Sequence, residues 1–458
     1  MSQAPSELEA YAAQIEELAQ RLGLDYYPVD FEMAPASLMT EIAVYGLPIR
    51  MPHWSFGVRY IHQLVRQSMG HSKIFEVMFP GDPCRAFLMD ANSLAENTLV
   101  TAHVLGHADF AKHNQLFARF HEMAGGNIVE HAAAHAQRIQ QAIQAVGLER
   151  VELVLDAALA LESHVDVGGE LHRSRYPEFV PEKALRKENN FQKRFGQLPG
   201  IAEKVPAGMN AGPLRAAVPP HPEYDLLWFI AQYAPELEQW ERDIFLMVRA
   251  ESLYFYPVFA CQIMNEGWAS YWHARLLREA DFLPQPLYLA AIKAHSDVVR
   301  PFASGREASL SVNPYHLGFT IWEHIVETHG LARAMEVRRD EDDFGFIRNW
   351  LGRELAETSG LFVYEEKQDQ EIRVTTRELE AVREAILAPK FNYGAPRVAA
   401  VEMKSDGALE LLHDHASDGR GLDAARARKV LEYVRRVWRR PVRLRTVNER
   451  RETIELAA

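Results

Sequence analysis

The sequence predicts a mainly α large domain followed by a small α+β domain at the C-terminal end. Three observations point there. Apolar residues recur at helical spacing through most of residues 93–361. The stretch Ala102–Asn114, AHVLGHADFAKHN, sets histidines four apart inside that pattern. After Phe362 the text changes to short alternating runs with one amphipathic helix among them. A chain of 458 residues exceeds the roughly 250–300 at which single cores stop growing, so domains 1–362 and 363–458 are expected. The composition, 48% hydrophobic and 25% charged, is that of a globular protein. No apolar run approaches the roughly 18 residues of a membrane span. A net charge of -13 argues against general nucleic-acid affinity. Cys84 and Cys261 make no C-x-x-C pair and fit a reducing cytoplasm.

In chain order, residues 6–22 read as an amphipathic helix. The N-terminus, MSQAPSELEAYAAQIEELAQRLGL, carries Glu and Gln where an export signal would need a basic start and an apolar core, so a cytoplasmic location is expected. From Leu24 to Pro83, Gly and Pro punctuation predicts irregular chain with short helices such as Phe56–Met69, wrapped round a core. Ser93-Leu94-Ala95-Glu96 has the form of a capping box and starts a helix running to about Phe120. Helices follow over Asn127–Val146 and Arg150–His164. Between Val165 and Glu223 the apolar stripe gives way to Gly, Pro and charge, which predicts a long irregular connection. Helices resume over Tyr224–Tyr233, Leu237–Tyr256, Val258–Glu279, Leu287–Ser296, Pro314–Thr328 and Ala334–Val337. Past Phe362, QEIRVTT, PRVAAVEMK and ALELLHDH alternate as strands, LDAARARKVLEYVRRVW is a helix, and RPVRLRTVNERRETIEL returns to strand.

Residues four apart on a helix lie one above the other, so His103 and His107 direct two imidazoles at one point. Zinc-peptidase helices use this spacing in H-E-x-x-H, where the Glu activates a metal-bound water. Here Val104 stands in that Glu's place. A third ligand is expected from Met264–His273, MNEGWASYWH. Its EGWASY resembles the glutamate-bearing helix of some zinc metallopeptidases, and by that resemblance Glu266 completes a zincin-like set of His103, His107 and Glu266 for zinc. His113 competes through an H-x3-H-x5-H pattern, which needs a Gly where Phe110 stands.

With Val at 104, a catalytic base must come from elsewhere. Glu251 is one candidate, an ion pair with Arg249 or with another helix being its ordinary alternative. Glu96 is another, already employed by the capping box. Tyr315 or His316, in Asn313-Pro314-Tyr315-His316, offers a donor for an oxyanion, although packing and capping explain that group and His53-Trp54 equally well. His131 and His135, also four apart, read as solvent-facing, with a second metal or a bond to the ligands as the alternatives. The paired E-x-x-H motifs of a di-iron bundle are absent. Eleven Lys or Arg between Asp423 and Arg451 make a basic face, by default a solvated one.

Four stretches resemble the stage V sporulation protein R family (SpoVR-like). They are DFEMAPASLMTEIAVYGLPIRMPHWSFG, SKIFEVMFPGDPCRAFLMDANSLAENTLVTAHVLGHADF, YAPELEQWERDIFLMVRAESLYFYPVFACQIMNEGWASYWH and SVNPYHLGFTIWEHI. The resemblance runs from about Tyr26 to the C-terminus. It implies a role in the bacterial sporulation programme, where the name is tied to spore cortex formation, or in a stationary-phase stress programme. It also implies work alongside a PrkA-type serine kinase and a von Willebrand A-like protein. No biochemical activity comes with it.

Two readings follow. One is a zinc-dependent hydrolase of an amide or peptide bond, with Glu251 and Tyr315 assisting the three ligands. The other is a non-catalytic assembly or regulatory protein that docks through its C-terminal domain, with Val104 in its favour. Nucleic-acid binding through the Arg-rich tail would show steep salt dependence and is disfavoured by the acidic charge.

Overall fold

The computed structural model describes residues 6–47, 49–68, 76–123, 128–173, 176, 217–300, 313–366 and 372–458. The chain divides into two compact units, one of Met1–Arg138 with Leu253–Phe391 and one of Ile139–Ser252 with Asn392–Ala458. No single helix among the described residues is long and apolar enough to cross a membrane.

The first unit is built round the helix Leu94–His113. Every residue from Asn97 to Ala111 is buried, as expected of a helix with apolar groups on all sides. The capping box forms as expected: Ser93 Oγ accepts from Glu96 N at 3.3 Å and Glu96 Oε2 accepts from Ser93 N at 2.8 Å. The helix stops at Asn114, short of the expected Phe120. Asn114 donates to Arg338 O and Glu341 O at 2.8 and 2.9 Å while its Oδ1 accepts from Leu116 N and starts the helix Gln115–Met123.

Packed against it are the helices Gln262–Glu279, Gln285–Val298 and Glu7–Arg21. The helix Pro314–His329 packs in turn on Gln262–Glu279. Glycines set how closely these approach. A Cβ on Gly106 would meet Ala269 Cα at 2.7 Å, and one on Gly267 would meet the Gly318 carbonyl carbon at 2.3 Å. Hence only glycine fits at these crossings. Around them Trp268, Trp272, Trp322 and Phe346 are wholly buried. Trp268 Nε1 donates to Asp109 Oδ2 at 2.8 Å and Trp322 Nε1 to Met264 O at 2.9 Å, so each indole is anchored at its polar edge.

Two sequence expectations are corrected in this unit. The helical break falls at Cys261 and not at Pro257, which stands inside the helix Gln239–Ala260. The buried Asp343 carboxylate explains the position: it accepts from Ile263 N and Met264 N at 3.0 and 2.9 Å and so caps the next helix from far along the chain. The expected irregular stretch 24–83 holds three strands, Val29–Ala34, Glu76–Phe79 and Cys84–Met89. The first runs parallel to the third and the second antiparallel to it. Val29–Ala34 does alternate, with Val29, Phe31 and Met33 set against Asp30 and Glu32, but it is six residues long between Pro28 and Pro35 and buries only its last residue. The helix expected at Phe56–Met69 is present as Trp54–Ser68, Met69 lying outside the described residues.

In the second unit, strands Val398–Met403, Leu409–His413, Val442–Val447 and Thr453–Ala457 form one sheet in that order. The outer pairs are antiparallel and the middle pair is parallel, joined through the helix Ala424–Trp438. This is the expected α+β region. It is not a body of its own, because the buried face of that helix, Leu431, Val434, Val437 and Trp438, packs against the helix Leu148–Ala160. Trp438 also stacks on Phe229 at 5.8 Å. The hairpin Val363–Glu366 and Ile372–Thr376, expected to open this domain, falls in the first unit. Of the long connection expected over 165–223, most lies outside the described residues.

Candidate metal centre

His103 and His107 stand one turn apart on the central helix, and the helix Gln262–Glu279 brings Glu266 to them. The glycine contacts described above lie at Gly106 and Gly267, each adjacent in sequence to one of these side chains. His103 Nε2 is 3.0 Å from His107 Nε2, and Glu266 Oε2 is 3.6 and 3.5 Å from the two nitrogens. Three atoms so spaced lie on a circle of about 2 Å radius, the length of a zinc–nitrogen or zinc–oxygen bond. Glu266 Oε2 is buried with no hydrogen-bond partner among the described residues. An orphaned carboxylate oxygen facing two imidazole nitrogens is an arrangement a divalent ion fits.

The far nitrogens of both rings are engaged. Asn265 Oδ1 can only accept, so at 2.8 Å His107 Nδ1 carries the proton and Nε2 is left bare when the ring is neutral. His103 Nδ1 lies 2.9 Å from His273 Nδ1, and His273 Nε2 lies 2.6 Å from His295 Nδ1. Tyr315 stacks on His103 with centroids 6.1 Å apart. Glu76, the first residue of its strand, places Oε1 3.7 Å from His103 Nε2. Beside this group opens a cavity of about 280 Å³, whose polar wall includes Glu76, Glu96, His103, His273 and Tyr315. Aliphatic side chains such as Leu99 and Val298 complete it.

Burial alone would raise the Glu266 carboxyl, but the adjacent His103 and His107 reverse this and hold it well below the usual carboxylate range. Burial also acts against a charged His107, yet Glu266 and Asn265 outweigh it and push that imidazole up. Glu76 is raised, first by burial and also by the charge of Glu266. The Tyr315 phenol is pushed well above its ordinary value, first by the Glu266 charge and then by burial, so it stays a donor. Burial drives His273 well down and His295 down to about 4.

The other expected side chains lie elsewhere. His113 bonds to Asp25 O at 2.8 Å at the helix end, which accounts for it without a metal. Glu96 borders the cavity with its carboxylate in the capping box. Glu251 is buried in the second unit, and Arg249, its expected partner, pairs with Asp225 at 2.7 Å. His131 is exposed and His135 half-buried on the helix Ile128–Val146. His316 Nδ1 donates to Val299 O at 3.1 Å, and His53 Nδ1 meets Ser55 Oγ at 2.7 Å. Sequence reasoning passed over Asn265, His273, His295 and Glu76. The first two lie in the quoted MNEGWASYWH, His273 seven residues past Glu266 and so on the same helical face. Nothing local marks Glu76 or His295.

A family model described as SpoVR like protein matches residues 2–394, and one described as SpoVR-like C-terminal domain matches residues 397–449. The junction between them falls beside Asn392, where the chain enters the second unit for the last time. The chain is also similar to a protein of Escherichia coli (strain K12) that bears the name Uncharacterized protein YcgB. The two are 29% identical over 353 residues, which is 74% of this chain and 66% of that protein, just under two thirds of the relative's length. No solved structure matches the chain. With both family models together covering the chain almost from end to end, it belongs to the SpoVR-like family.

Proposed function

We propose that the chain is a cytoplasmic, zinc-dependent hydrolase of an amide or peptide bond, serving the sporulation or stationary-phase stress programme that its family membership suggests. The observation that carries the chemistry is the triangle of His103 Nε2, His107 Nε2 and Glu266 Oε2, sized for one ion, with the other nitrogen of each ring already bonded. Zinc at such a site polarises a carbonyl and acidifies a bound water. Glu266 is the anionic member of the set, and its neighbours keep it ionised. Tyr315 keeps its proton and supplies a donor for a developing oxyanion. The proton-accepting part, vacant at Val104, falls to Glu76 on position, since it lines the cavity beside His103. Metal analysis of protein purified without chelator tests this. About one zinc per chain is expected, and none in a His103→Ala/His107→Ala variant that stays folded; a parent without stoichiometric metal ends the reading.

Val104 favours a second reading, a non-catalytic assembly protein working with a PrkA-type serine kinase and a von Willebrand A-like protein through its C-terminal region. The exposed Arg435 and Arg436 are the natural place to probe it. An Arg435→Glu/Arg436→Glu variant that loses the kinase in pull-down, while the parent holds no metal, would support this second reading over the first.

A further inference from the structure

The three imidazoles behind the centre form one hydrogen-bonded line, His103 to His273 to His295, with separations of 2.9 and 2.6 Å. Each contact is an N–H···N bond and needs one proton and one lone pair. Neutral rings can therefore be ordered in only two ways along the whole line. In the first, His295 Nδ1–H donates to His273 Nε2, His273 Nδ1–H donates to His103 Nδ1, and His103 carries its own proton on Nε2. In the second, every donor is reversed and His103 Nε2 is bare.

What lies at the inner end decides between them. With His107 neutral, its Nδ1–H bonded to Asn265 leaves Nε2 without a proton, and that atom faces His103 Nε2 at 3.0 Å. Two bare nitrogens at this distance, beside the Glu266 and Glu76 carboxylates, repel. With all four rings neutral, the metal-free chain is satisfied by the first order, in which His103 Nε2–H donates to His107. An ion held by both Nε2 atoms requires the second.

We propose that His273 and His295 are positioning residues of the metal centre, and that an ion bound at His103 reverses the proton order along all three rings. The protons balance. One leaves His103 Nε2 to water, one crosses from His273 to His103, one crosses from His295 to His273, and one enters at His295 Nε2 from solvent. The rings stay neutral throughout, in keeping with the burial that disfavours charge on His273 and His295. His295 is half-buried at the outer end, where water can supply the proton, while His273 is wholly buried between. The inference rests on the metal reading above, and its test separates the two.

The test is long-range 15N–1H spectroscopy of the full chain labelled in histidine, recorded at alkaline pH, where His107 is neutral, without metal and with added zinc, with His295 signals assigned by a His295→Gln variant. His295 is expected to hold its proton on Nδ1 without metal and on Nε2 with zinc. In His273→Phe the line is cut, so His295 no longer responds and zinc affinity falls about 10–100-fold. Because His273 is buried and its replacement can unfold the chain, His295→Leu is measured in parallel. It should weaken zinc, and His295→Gln, which keeps an acceptor for His273, should recover most of the loss. Zinc uptake with no change at His295, or equal zinc affinity in His295→Leu and parent, overturns the relay and leaves the metal reading standing. A chain that takes up no zinc overturns both.

Discussion

At the level of single side chains, the bond from His107 Nδ1 to Asn265 Oδ1 decides which nitrogen of that ring is free to bind. Asn265→Leu should therefore lower zinc affinity about 10–100-fold, read by competition with a chelator, without removing any ligand. A second residue sets an acid limit in the other unit. His164 is half-buried, and its imidazole is pushed down to about 4, first by desolvation and then by Arg420, while an unfolded histidine titrates near 6.5. Its folded value is depressed, so the unfolded chain binds the extra proton between those values. Stability is complete above pH 6.5 and is lost as the pH falls toward 4, by roughly 3 kcal/mol at most. Denaturation midpoints measured from pH 7 to 4.5 should fall, and less steeply in a His164→Gln variant. Spacing on one helix is readable from the text, which is why His103 and His107 could be paired before any coordinates, and Glu266 added by its motif. Glu76 and His295 reach the same place only through packing between elements distant in sequence, and no local pattern encodes that.

Among the elements, the approach of three helices at Gly106, Gly267 and Gly318 holds the candidate ligands at their spacing. A Gly267→Ala change puts a methyl where the Gly318 backbone lies, and the helices must part. Overpacking of this kind costs about 1–3 kcal/mol, so the melting temperature should drop. Metal affinity should drop with it, since Glu266 is the preceding residue. A melting curve with and without zinc checks both, and an unchanged curve would refute the crossing. Helices of long period were legible in the sequence because each carries its own apolar pattern. The strand Val29–Ala34 was passed over although Val29, Phe31 and Met33 alternate with Asp30 and Glu32, because so short a run between Pro28 and Pro35 reads as irregular chain until its pairing with Cys84–Met89 is seen. The break at Cys261 was equally hidden, its cap being Asp343, some eighty residues on.

On the scale of the whole molecule, neither unit is a continuous piece of chain. The helix Ala424–Trp438, which covers the C-terminal sheet, packs on the helix Leu148–Ala160, where Val154 and Leu155 are wholly buried. Ending the chain at Phe391 should therefore expose that face and not release a soluble remainder. Increased binding of an apolar dye, or aggregation, is the expected readout, and a well-folded monomer would contradict that packing. The interleaving also orders events during synthesis. His103 and His107 leave the ribosome about 160 residues before Glu266, a gap of roughly 8–30 s at ordinary translation rates. For that interval the nascent chain carries two of the three ligands on a helix still without the cover of Gln262–Glu279 and Gln285–Val298, so assembly of the centre waits on the later half of translation.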